Sequence, residues 1–332
     1  MNRTANANVV PAGDANRSPL WLSVVMVTYN SAHVAGNAIE PISGTESIEL
    51  RVIDNGSSDG TPEYIERAFP NAVLMRNGEN AGFARAVNAA ALGATGDYLL
   101  LLNPDAVISP VDLETMRDVM ISDPNVAIIG PLMKDPADSH QVVAAGHAPT
   151  IWRMFLHGSG ISRLGRIFPA LEGLYLFHHN VESPRDVDWV TGGCMLIRRT
   201  VWDELGGLTT RWFMYAEDID FCLRARRSGH RVRLEPAAVA DHALGGSSRG
   251  VSGSANPAWI VNLFDLYRVQ IARSPLHSHA WRVVVQMGFV TRLATYRALA
   301  IARPAHRSVY VEQASRYGVF IRALAEVDVR RP

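Results

Sequence analysis

The segment Leu99-Leu100-Leu101-Leu102-Asn103-Pro104-Asp105 joins four leucines directly to a polar triplet that ends in a carboxylate. The leucines have the length and the composition of a buried strand. Ligands of open α/β sheets bind outside the carboxyl ends of the strands, which is where Asp105 falls. The segment therefore predicts a strand whose end can hold a divalent cation against a diphosphate. A strand-ending turn with a solvated aspartate is the alternative for this segment taken alone.

The composition is that of a globular protein with an uneven distribution of charge. Of the 332 residues, 48% are hydrophobic and 19% are charged, which provides apolar material for a sizeable core. The net charge is zero, so the overall charge does not point to a nucleic-acid partner. From Pro257 onward the chain has 11 Arg, no Lys, two Asp and two Glu, which gives this part a net charge of +7. Because the whole chain has a net charge of zero, the first 256 residues have a net charge of −7. This asymmetry predicts an acidic catalytic part and a basic tail suited to an anionic surface.

Cysteine usage and hydropathy predict a cytoplasmic protein. Cys194 and Cys222 lie in apolar segments, so we expect a reducing compartment and no disulfide framework. Residues 1–19 are rich in Asn, Ala and Pro and lack an apolar core, which predicts a disordered leader rather than a signal peptide. No run of about 18 uncharged apolar residues occurs, so we expect no membrane-spanning helix.

Strands and helices are predicted to alternate along the first part of the chain. This alternation favours a mostly parallel sheet with helices on both faces. Thr61 and Pro62 are typical of a helix start, with Thr61 as the N-cap. The predicted strands cover 21–27, 50–53, 73–75, 98–102 and 126–129, and the other predicted helices cover 32–40, 84–94 and 111–122.

The pattern is weaker in the middle of the chain and becomes helical near its end. Residues 134–185 have no clear period and are interpreted as an excursion over the sheet that faces an acceptor. Residues 187–198 predict one strand, and 217–228 predict a helix. Short strands are predicted over 232–234 and 239–241, and long helices over about 278–302 and 308–327.

The helical tail allows two interpretations. Ile260, Leu263, Phe264 and Tyr267 share one helix face, as in an appendage packed on the sheet domain. The arginines that interrupt the apolar surface favour an interfacial helix drawn to anionic lipid instead.

Polar loops follow the first, second and fourth predicted strands. Thr28-Tyr29-Asn30, Asp54 and Asn103-Pro104-Asp105 should therefore converge on one edge of the sheet. The carboxylate of Asp54 can accept a hydrogen bond from the imide N–H of uracil or thymine. Loop amides after Thr28 can meet ribose or phosphate, and Asp105 can ligate Mg²⁺ or Mn²⁺. The pattern favours a nucleotide site, although Asp54 can alternatively cap its own turn.

Seven short motifs together make the chain resemble the inverting glycosyltransferases of family 2. Each motif is weak alone, but all seven occur in family order across residues 22–250. The matching motifs are Val25–Asn30, Asp54–Gly60, Asn80–Asn88, Asn103–Asp105, Thr191–Cys194, Glu217–Asp220 and His242–Ser248.

The resemblance implies a fold and a division of the chain. We expect a GT-A-type, Rossmann-like α/β sandwich with a mostly parallel central sheet and a C-terminal helical extension. Residues 20–255 would form the catalytic domain, in which 20–130 bind the nucleotide and 131–255 face the acceptor. Residues 256–332 would form the extension.

The resemblance also implies roles for individual residues. Asp218 would be the general base, for which a helix-start carboxylate is the alternative. Asp105 and His242 would hold the metal, although His242 can also be a core histidine. The donor-binding residues would be Thr28, Tyr29, Asn30, Asp54, Asn80, Gly82, Phe83, Arg85, Asn88 and Asn103. The acceptor-side residues would be Trp189, Thr191, Gly192 and Glu217.

One departure from the family pattern narrows the substrate prediction. Asn103 replaces the first carboxylate of the expected Asp-x-Asp motif, so one anionic contact becomes a neutral amide. Asn103-Pro104-Asp105 and Met214-Tyr215-Ala216-Glu217-Asp218 resemble bacterial rhamnosyltransferases, which use a thymidine diphosphate donor. We therefore expect L-rhamnose to be moved from dTDP-rhamnose to a cell-envelope glycan or polyprenyl-linked acceptor. Peripheral contact through the basic helices would place the protein at the inner face of the cell membrane.

Other functions predict other sequence features. A dinucleotide-dependent dehydrogenase would need a Gly-x-Gly-x-x-Gly loop where this chain has Thr28-Tyr29-Asn30-Ser31. A sugar nucleotidyltransferase would need a Gly-rich phosphate loop with a basic residue at the same place. A family 2 enzyme that uses another UDP-sugar, and an inactive nucleotide- or glycan-binding module, remain as alternatives.

Overall fold

The structure is a computed structural model that describes residues 21–134, 142–177, 181–242 and 256–328. The predicted leader, residues 1–19, lies outside the described residues. The strands are β1 (Leu22–Thr28), β2 (Ile48–Asp54), β3 (Val73–Arg76), β4 (Tyr98–Leu102), β5 (Ala106–Ile108), β6 (Val126–Lys134), β7 (Val142–Gly146), β8 (Tyr175–Phe177), β9 (Arg185–Val187), β10 (Trp189–Val190), β11 (Cys194–Arg198) and β12 (Arg231–His242). The α-helices are α1 (Ala35–Ile39), α2 (Thr61–Ala68), α3 (Phe83–Ala91), α4 (Pro110–Ser122), α5 (Ile151–Ser159), α6 (Arg199–Leu205), α7 (Glu217–Arg227), α8 (Ala258–Gln270), α9 (Pro275–Ala302) and α10 (Arg307–Glu326).

A nine-stranded sheet forms the centre of the protein. Its order is β3-β2-β1-β4-β11-β6-β12-β5, and β9 pairs with β12. Strands β1 to β4, β6 and β12 run in one direction, whereas β5, β9 and β11 run in the other. The predicted α/β class is confirmed, and the strands that precede the polar loops are parallel. Thr28 is the register partner of Asp54, so the loops that follow β1 and β2 begin side by side.

The prediction of a single strand over residues 187–198 is wrong. The chain turns at Thr191–Gly193, and its two halves enter different sheets. Strand β10 pairs with β7 of a three-stranded sheet in order β10-β7-β8, whereas β11 lies antiparallel between β4 and β6. The apolar pattern continues through the turn because both halves are buried, so periodicity alone does not reveal the break.

Four further details differ from the sequence-based expectations. The short strand β5 was not predicted, and the two strands predicted over 232–234 and 239–241 are one strand, β12, with a register shift between Glu235 and Val239. Helix α2 has Gly60, not Thr61, as its N-cap, with a φ of 82°. The expected division after residue 130 falls inside β6, so the two parts share one sheet.

The central strand β4 is buried on both faces, as its composition predicts. Leu99 and Leu101 pack into the cluster that includes α3, α7 and the C-terminal helices. Leu100 and Leu102 pack into the opposite cluster, which includes α1 and α4. The four side chains are at most 2% exposed, so the sheet forms the middle layer of a sandwich.

The C-terminal helices are packed on the catalytic part of the chain. Trp281 of α9 is fully buried, and its ring stacks on Phe264 and Tyr267 of α8 with centroids 5.3 and 5.4 Å apart. The indole N–H of Trp281 donates to the carbonyl of Pro149 at 2.6 Å. This contact ties α9 to the segment before α5. Within the described part of the chain, no helix is long and apolar enough to cross a bilayer.

We expect Trp281→Ala to lower the free energy of unfolding by about 3–5 kcal/mol, because it removes a fully buried ring. Urea denaturation measures this change. The matched control is Ile301→Ala on the same helix, where the side chain is 82% exposed and the effect should be small. Equal effects of the two substitutions would contradict the packing described here.

Candidate active site

The carboxyl ends of β1 and β2 are joined by a buried carboxyl group. Asp54 is 3% exposed, and its Oδ1 accepts a hydrogen bond from the Thr28 hydroxyl at 3.1 Å. Its Oδ2 accepts from the backbone N–H groups of Gly56 at 3.2 Å and Ser57 at 2.9 Å. The Ser57 hydroxyl donates to Oδ1 as well. Asp54 therefore caps its own turn, and its predicted contact with a pyrimidine base stays a prediction.

Asn30 connects the first two polar loops. Its φ of 52° lies in the left-handed region, which asparagine tolerates better than most residues. Its backbone N–H donates to the Ser57 hydroxyl at 2.8 Å, and its Oδ1 accepts from the Ser58 N–H at 2.8 Å. Tyr29 beside it is 46% exposed. The loops thus form one surface at the edge of the sheet, with Tyr29 open to a ligand.

Asn55 organises the third loop, although the sequence analysis gave it no role of its own within the Asp54–Gly60 motif. The side chain is 2% exposed, and its Nδ2 donates to Asn80 Oδ1 at 2.8 Å. Its Oδ1 accepts from Asn77 Nδ2 at 2.9 Å and from the Ala81 N–H at 3.1 Å. One buried amide therefore holds the 77–82 loop beside Asp54. The sequence carries no signal for this role beyond the clustering of asparagines.

The 77–82 loop touches the segment that leads to the predicted base. Gly82 has a φ of 88°, and a Cβ there would lie 2.6 Å from the carbonyl oxygen of Phe213. The same carbonyl accepts from the Phe83 N–H at 2.9 Å. Tyr215 and Ala216 then have φ values of 70° and 78° immediately before α7. The predicted donor loop and the predicted catalytic helix are therefore in direct contact.

Asp218 and Glu217 begin α7 in different surroundings. Asp218 is partly exposed, and its carboxylate accepts from the N–H groups of Gly192 at 3.0 Å and Ile219 at 2.8 Å. Glu217 is 5% exposed, and its Oε2 has no hydrogen-bond partner among the described residues. Only Asp218 therefore combines an oriented carboxylate with access to the surface, as a general base requires.

Burial raises the pKa of both carboxyl groups. It raises the pKa of Glu217 to about 8, with a further contribution from the charge of Asp218. Burial also raises the pKa of Asp218, and the amides of Gly192 and Ile219 partly oppose that change. Burial therefore favours the protonated form of Glu217 at neutral pH. A raised pKa makes Asp218 a stronger base once it is ionised.

The Thr191–Gly193 turn brings the predicted donor and acceptor residues together. A Cβ at Gly192 would lie 3.5 Å from the side chains of both Phe83 and Asp218. The backbone N–H of Asn103 donates to the carbonyl of Gly193 at 2.9 Å. The end of β4 therefore lies against the turn that orients the base.

Asp105 and His242 form the predicted metal pair. His242 Nε2 lies 3.2 Å from Asp105 Oδ1, and Asp105 is 7% exposed. Their proximity follows from strand pairing, because Ala106 of β5 is the register partner of His242 in β12. Among the described residues no group of three or more His, Cys, Asp or Glu is placed to hold a metal ion. A carboxylate and an imidazole suit a cation that takes its remaining ligands from a substrate diphosphate and water.

Trp189 and Tyr175 form an aromatic wall near Asp218. Trp189 is 3% exposed, and its indole N–H donates to the carbonyl of His147 at 2.9 Å. The partly exposed Tyr175 contacts it edge-on, with centroids 5.4 Å apart. Burial and the charge of Asp218 raise the pKa of Tyr175 to about 12. Tyr175 was not predicted, because it lies in the part of the chain without a clear period.

Arg85 and Asn88 are predicted donor residues whose surroundings on α3 include the 206–208 turn. The Asn88 amide donates to the Leu208 carbonyl at 2.8 Å and accepts from the Leu208 N–H at 2.9 Å. Both residues line a cavity of about 510 Å³ whose lining includes Arg199 and Trp202 but none of the carboxylates of the predicted site. The structure therefore places Asn88 as a clamp between α3 and the 206–208 turn.

The sequence defines the class of this protein. The family model described as Glycosyl transferase family 2 matches residues 23–206, more than half of the chain. The chain therefore belongs to glycosyltransferase family 2 and is a glycosyltransferase.

Two relatives of this chain are named as rhamnosyltransferases. The chain is 30% identical over 236 residues to the N-acetylglucosaminyl-diphospho-decaprenol L-rhamnosyltransferase of Mycobacterium tuberculosis. This alignment covers 67% of this chain and 75% of the relative. The chain is also 30% identical over 152 residues to the rhamnosyltransferase WbbL of Escherichia coli, and that alignment covers 45% of this chain and 53% of WbbL.

Solved structures show the same GT-A fold. The mannosyltransferase PcManGT of Pyrobaculum calidifontis, solved in complex with GDP-Man and Mn²⁺, aligns over 93% of this chain and 86% of its own. The superposition of the two structures has a TM-score of 0.52, and the two sequences are 19% identical. Residues 1–349 of S. aureus TarS, solved with UDP-GlcNAc, align over 92% of this chain and 81% of that one, with a TM-score of 0.51 at 17% identity.

We expect Glu217→Gln to make folding stability less sensitive to alkaline pH. A carboxyl group whose pKa rises on folding contributes stability below its unfolded pKa and loses it as the pH rises through about 8. The wild-type free energy of unfolding should therefore fall relative to the variant by on the order of 1–3 kcal/mol between about pH 6 and pH 9. Urea denaturation at both pH values measures the difference. Glu66→Gln on the exposed side of α2 is the control, and parallel pH profiles for wild type and Glu217→Gln would contradict the assignment.

Proposed function

We propose that this protein is a metal-dependent inverting glycosyltransferase that moves L-rhamnose from dTDP-rhamnose to a cell-envelope glycan or polyprenyl-linked acceptor. The single observation that carries the proposed activity is the position of Asp218, which is oriented by the Gly192 amide in a turn that also contacts Phe83 and Asn103. The two relatives named as rhamnosyltransferases support the choice of sugar. The name of the mycobacterial relative supports a lipid-linked acceptor.

The donor would bind where the loops after β1, β2 and β4 meet. The exposed ring of Tyr29 and the loop held by Asn55 would border the nucleoside. Asp105 and His242 would hold Mg²⁺ or Mn²⁺. That cation, when bound, would neutralise the charge that develops on the leaving diphosphate.

The acceptor hydroxyl would be activated by Asp218. Its carboxylate would take the hydroxyl proton as the oxygen attacks the anomeric carbon from the face opposite the diphosphate. A single displacement of this kind inverts the anomeric configuration and needs no covalent nucleophile. Protonated Glu217 keeps a second negative charge away from the base, and Trp189 with Tyr175 forms the wall of the acceptor side.

We expect Asp218→Asn to lower kcat for rhamnose transfer by roughly 10²–10⁴-fold, because the amide cannot accept the hydroxyl proton. The Kd of dTDP-rhamnose should stay nearly unchanged, since Asp218 meets the acceptor. Product formation and calorimetric donor binding measure the two effects separately. Asp203→Asn, at an exposed position on α6, is the control. Full transfer by Asp218→Asn would remove Asp218 from the mechanism.

Donor binding distinguishes this proposal from its competitors. We expect dTDP to bind more tightly than UDP or GDP, and Mn²⁺ to strengthen that binding through Asp105. Asp105→Asn should remove the metal-dependent part of the affinity, measured by titration calorimetry with and without Mn²⁺. A preference for UDP would leave a family 2 enzyme for another sugar, whereas nucleotide binding without any transfer would favour an inactive binding module.

The proposed acceptor suggests a place of action. We propose that the protein works in the cytoplasm at the inner face of the cell membrane, where a polyprenyl-linked acceptor is accessible. The excess of arginine after Pro257 supports this location through attraction to anionic headgroups.

A further inference from the structure

We propose that the exposed apolar residues of α5 and of the segment after it form a surface that binds an anionic lipid bilayer. We call this surface the interfacial face, and its apolar members are Trp152, Phe155, Leu164, Ile167 and Phe168. The inference deepens the proposed function and rests on it for the identity of the acceptor. The sequence analysis placed lipid contact in the C-terminal helices alone, whereas the structure adds residues 152–168.

Large apolar side chains are concentrated between residues 152 and 168. Trp152 is 52% exposed and Phe155 is 42% exposed, and their rings stack with centroids 5.7 Å apart. Ile167 and Phe168 are 68% and 58% exposed. Several large exposed apolar residues in one short segment are unusual on a soluble surface and indicate an interaction site.

Helix α9 holds α5 in place from the side opposite the solvent. Helices α5 and α9 meet at Gly158 and Gly288, where a Cβ on Gly288 would lie 2.8 Å from the Gly158 Cα. Arg292 of α9 also donates to the carbonyl of His157 at 2.7 Å. The exposed rings of Trp152 and Phe155 therefore belong to a helix that is fixed against the rest of the protein.

The charge around the interfacial face favours an anionic lipid over a protein partner. Residues 139–171 and 266–311 contain no Asp or Glu. Arg163 and Arg166 are exposed beside Leu164 and Ile167. Tryptophan and phenylalanine next to arginine, without an acidic residue, suit the boundary between headgroups and acyl chains. The negative potential of an anionic leaflet adds attraction for each arginine.

The interfacial face is connected to the acceptor side of the candidate active site. His157 of α5 contacts Tyr175 with centroids 5.5 Å apart, and Tyr175 contacts Trp189 at 5.4 Å. Tyr175 is also close enough to Asp218 for the aspartate charge to affect its pKa. An acceptor held in the bilayer by its lipid would thus present its head group to the side of the site that holds the base.

Vesicle sedimentation of the full chain, without donor or acceptor, tests the proposal. The probes are phosphatidylcholine vesicles with and without phosphatidylglycerol. We expect the wild type to bind the anionic vesicles and to be released by salt. Trp152→Ser/Phe155→Ser should weaken the partition coefficient at least about tenfold. Arg163→Gln/Arg166→Gln should weaken it by roughly fivefold per arginine on anionic vesicles alone.

The control has the same chemistry on another helix. Val111→Ser/Ile121→Ser alters two residues of α4 that are 70% and 61% exposed, and it should bind vesicles like the wild type. Equal binding by Trp152→Ser/Phe155→Ser and the wild type would overturn the proposal, as would absence of wild-type binding to anionic vesicles. A loss of dimers rather than of vesicle binding in that variant, measured by light scattering, would show a protein interface and would also overturn it.

Transfer to a water-soluble acceptor analogue separates this proposal from the proposed function. We expect Trp152→Ser/Phe155→Ser to retain activity on the soluble analogue and to lose it on the same acceptor in vesicles. Vesicle binding without any transfer would reject the proposed function and leave the interfacial face standing. Wild-type transfer on both acceptors by the variant would reject the interfacial face alone.

Discussion

The buried carboxyl group of Asp54 constrains the whole donor edge of the sheet. Burying such a group is costly unless its oxygens are hydrogen-bonded, and here Thr28, Gly56 and Ser57 supply the donors. These bonds fix the ends of β1 and β2 together and set the direction in which Asn55 enters the protein. Asn55 in turn holds the loop that reaches Gly82, and Gly82 lies against the segment before Asp218.

Two neighbouring carboxyl groups, those of Glu217 and Asp218, have different surroundings. Asp218 receives two backbone N–H groups and stays accessible, whereas the buried Glu217 has an oxygen without a partner among the described residues. Adjacent residues of a helix point in different directions, so consecutive carboxylates need not share a role. Of the two, only Asp218 therefore offers an oriented and accessible carboxyl group at the position proposed for the base.

The sequence predicts the framework better than it predicts local contacts. Strand β4 has the predicted bounds, because four leucines between polar residues leave little ambiguity. Asp105 and His242 lie 3.2 Å apart, and their binding of a metal stays a prediction. The break at Thr191–Gly193 was missed because both flanking strands are apolar. Asn88 was assigned to the donor, but its amide bonds Leu208, a contact between residues 120 positions apart that no local pattern encodes. Asn55 was missed because its partners lie 22 to 26 residues away, and Tyr175 was missed because it lies in the part of the chain without a clear period.

The antiparallel position of β11 has a consequence for synthesis of the chain. Strand β11 separates β4 from β6, yet it follows β6 by some sixty residues. While the ribosome produces the intervening segment, β4 and β6 each lack a neighbour and expose unpaired backbone groups. Sheet closure must therefore wait for Cys194–Arg198, and until then these edges are open to pairing with other strands.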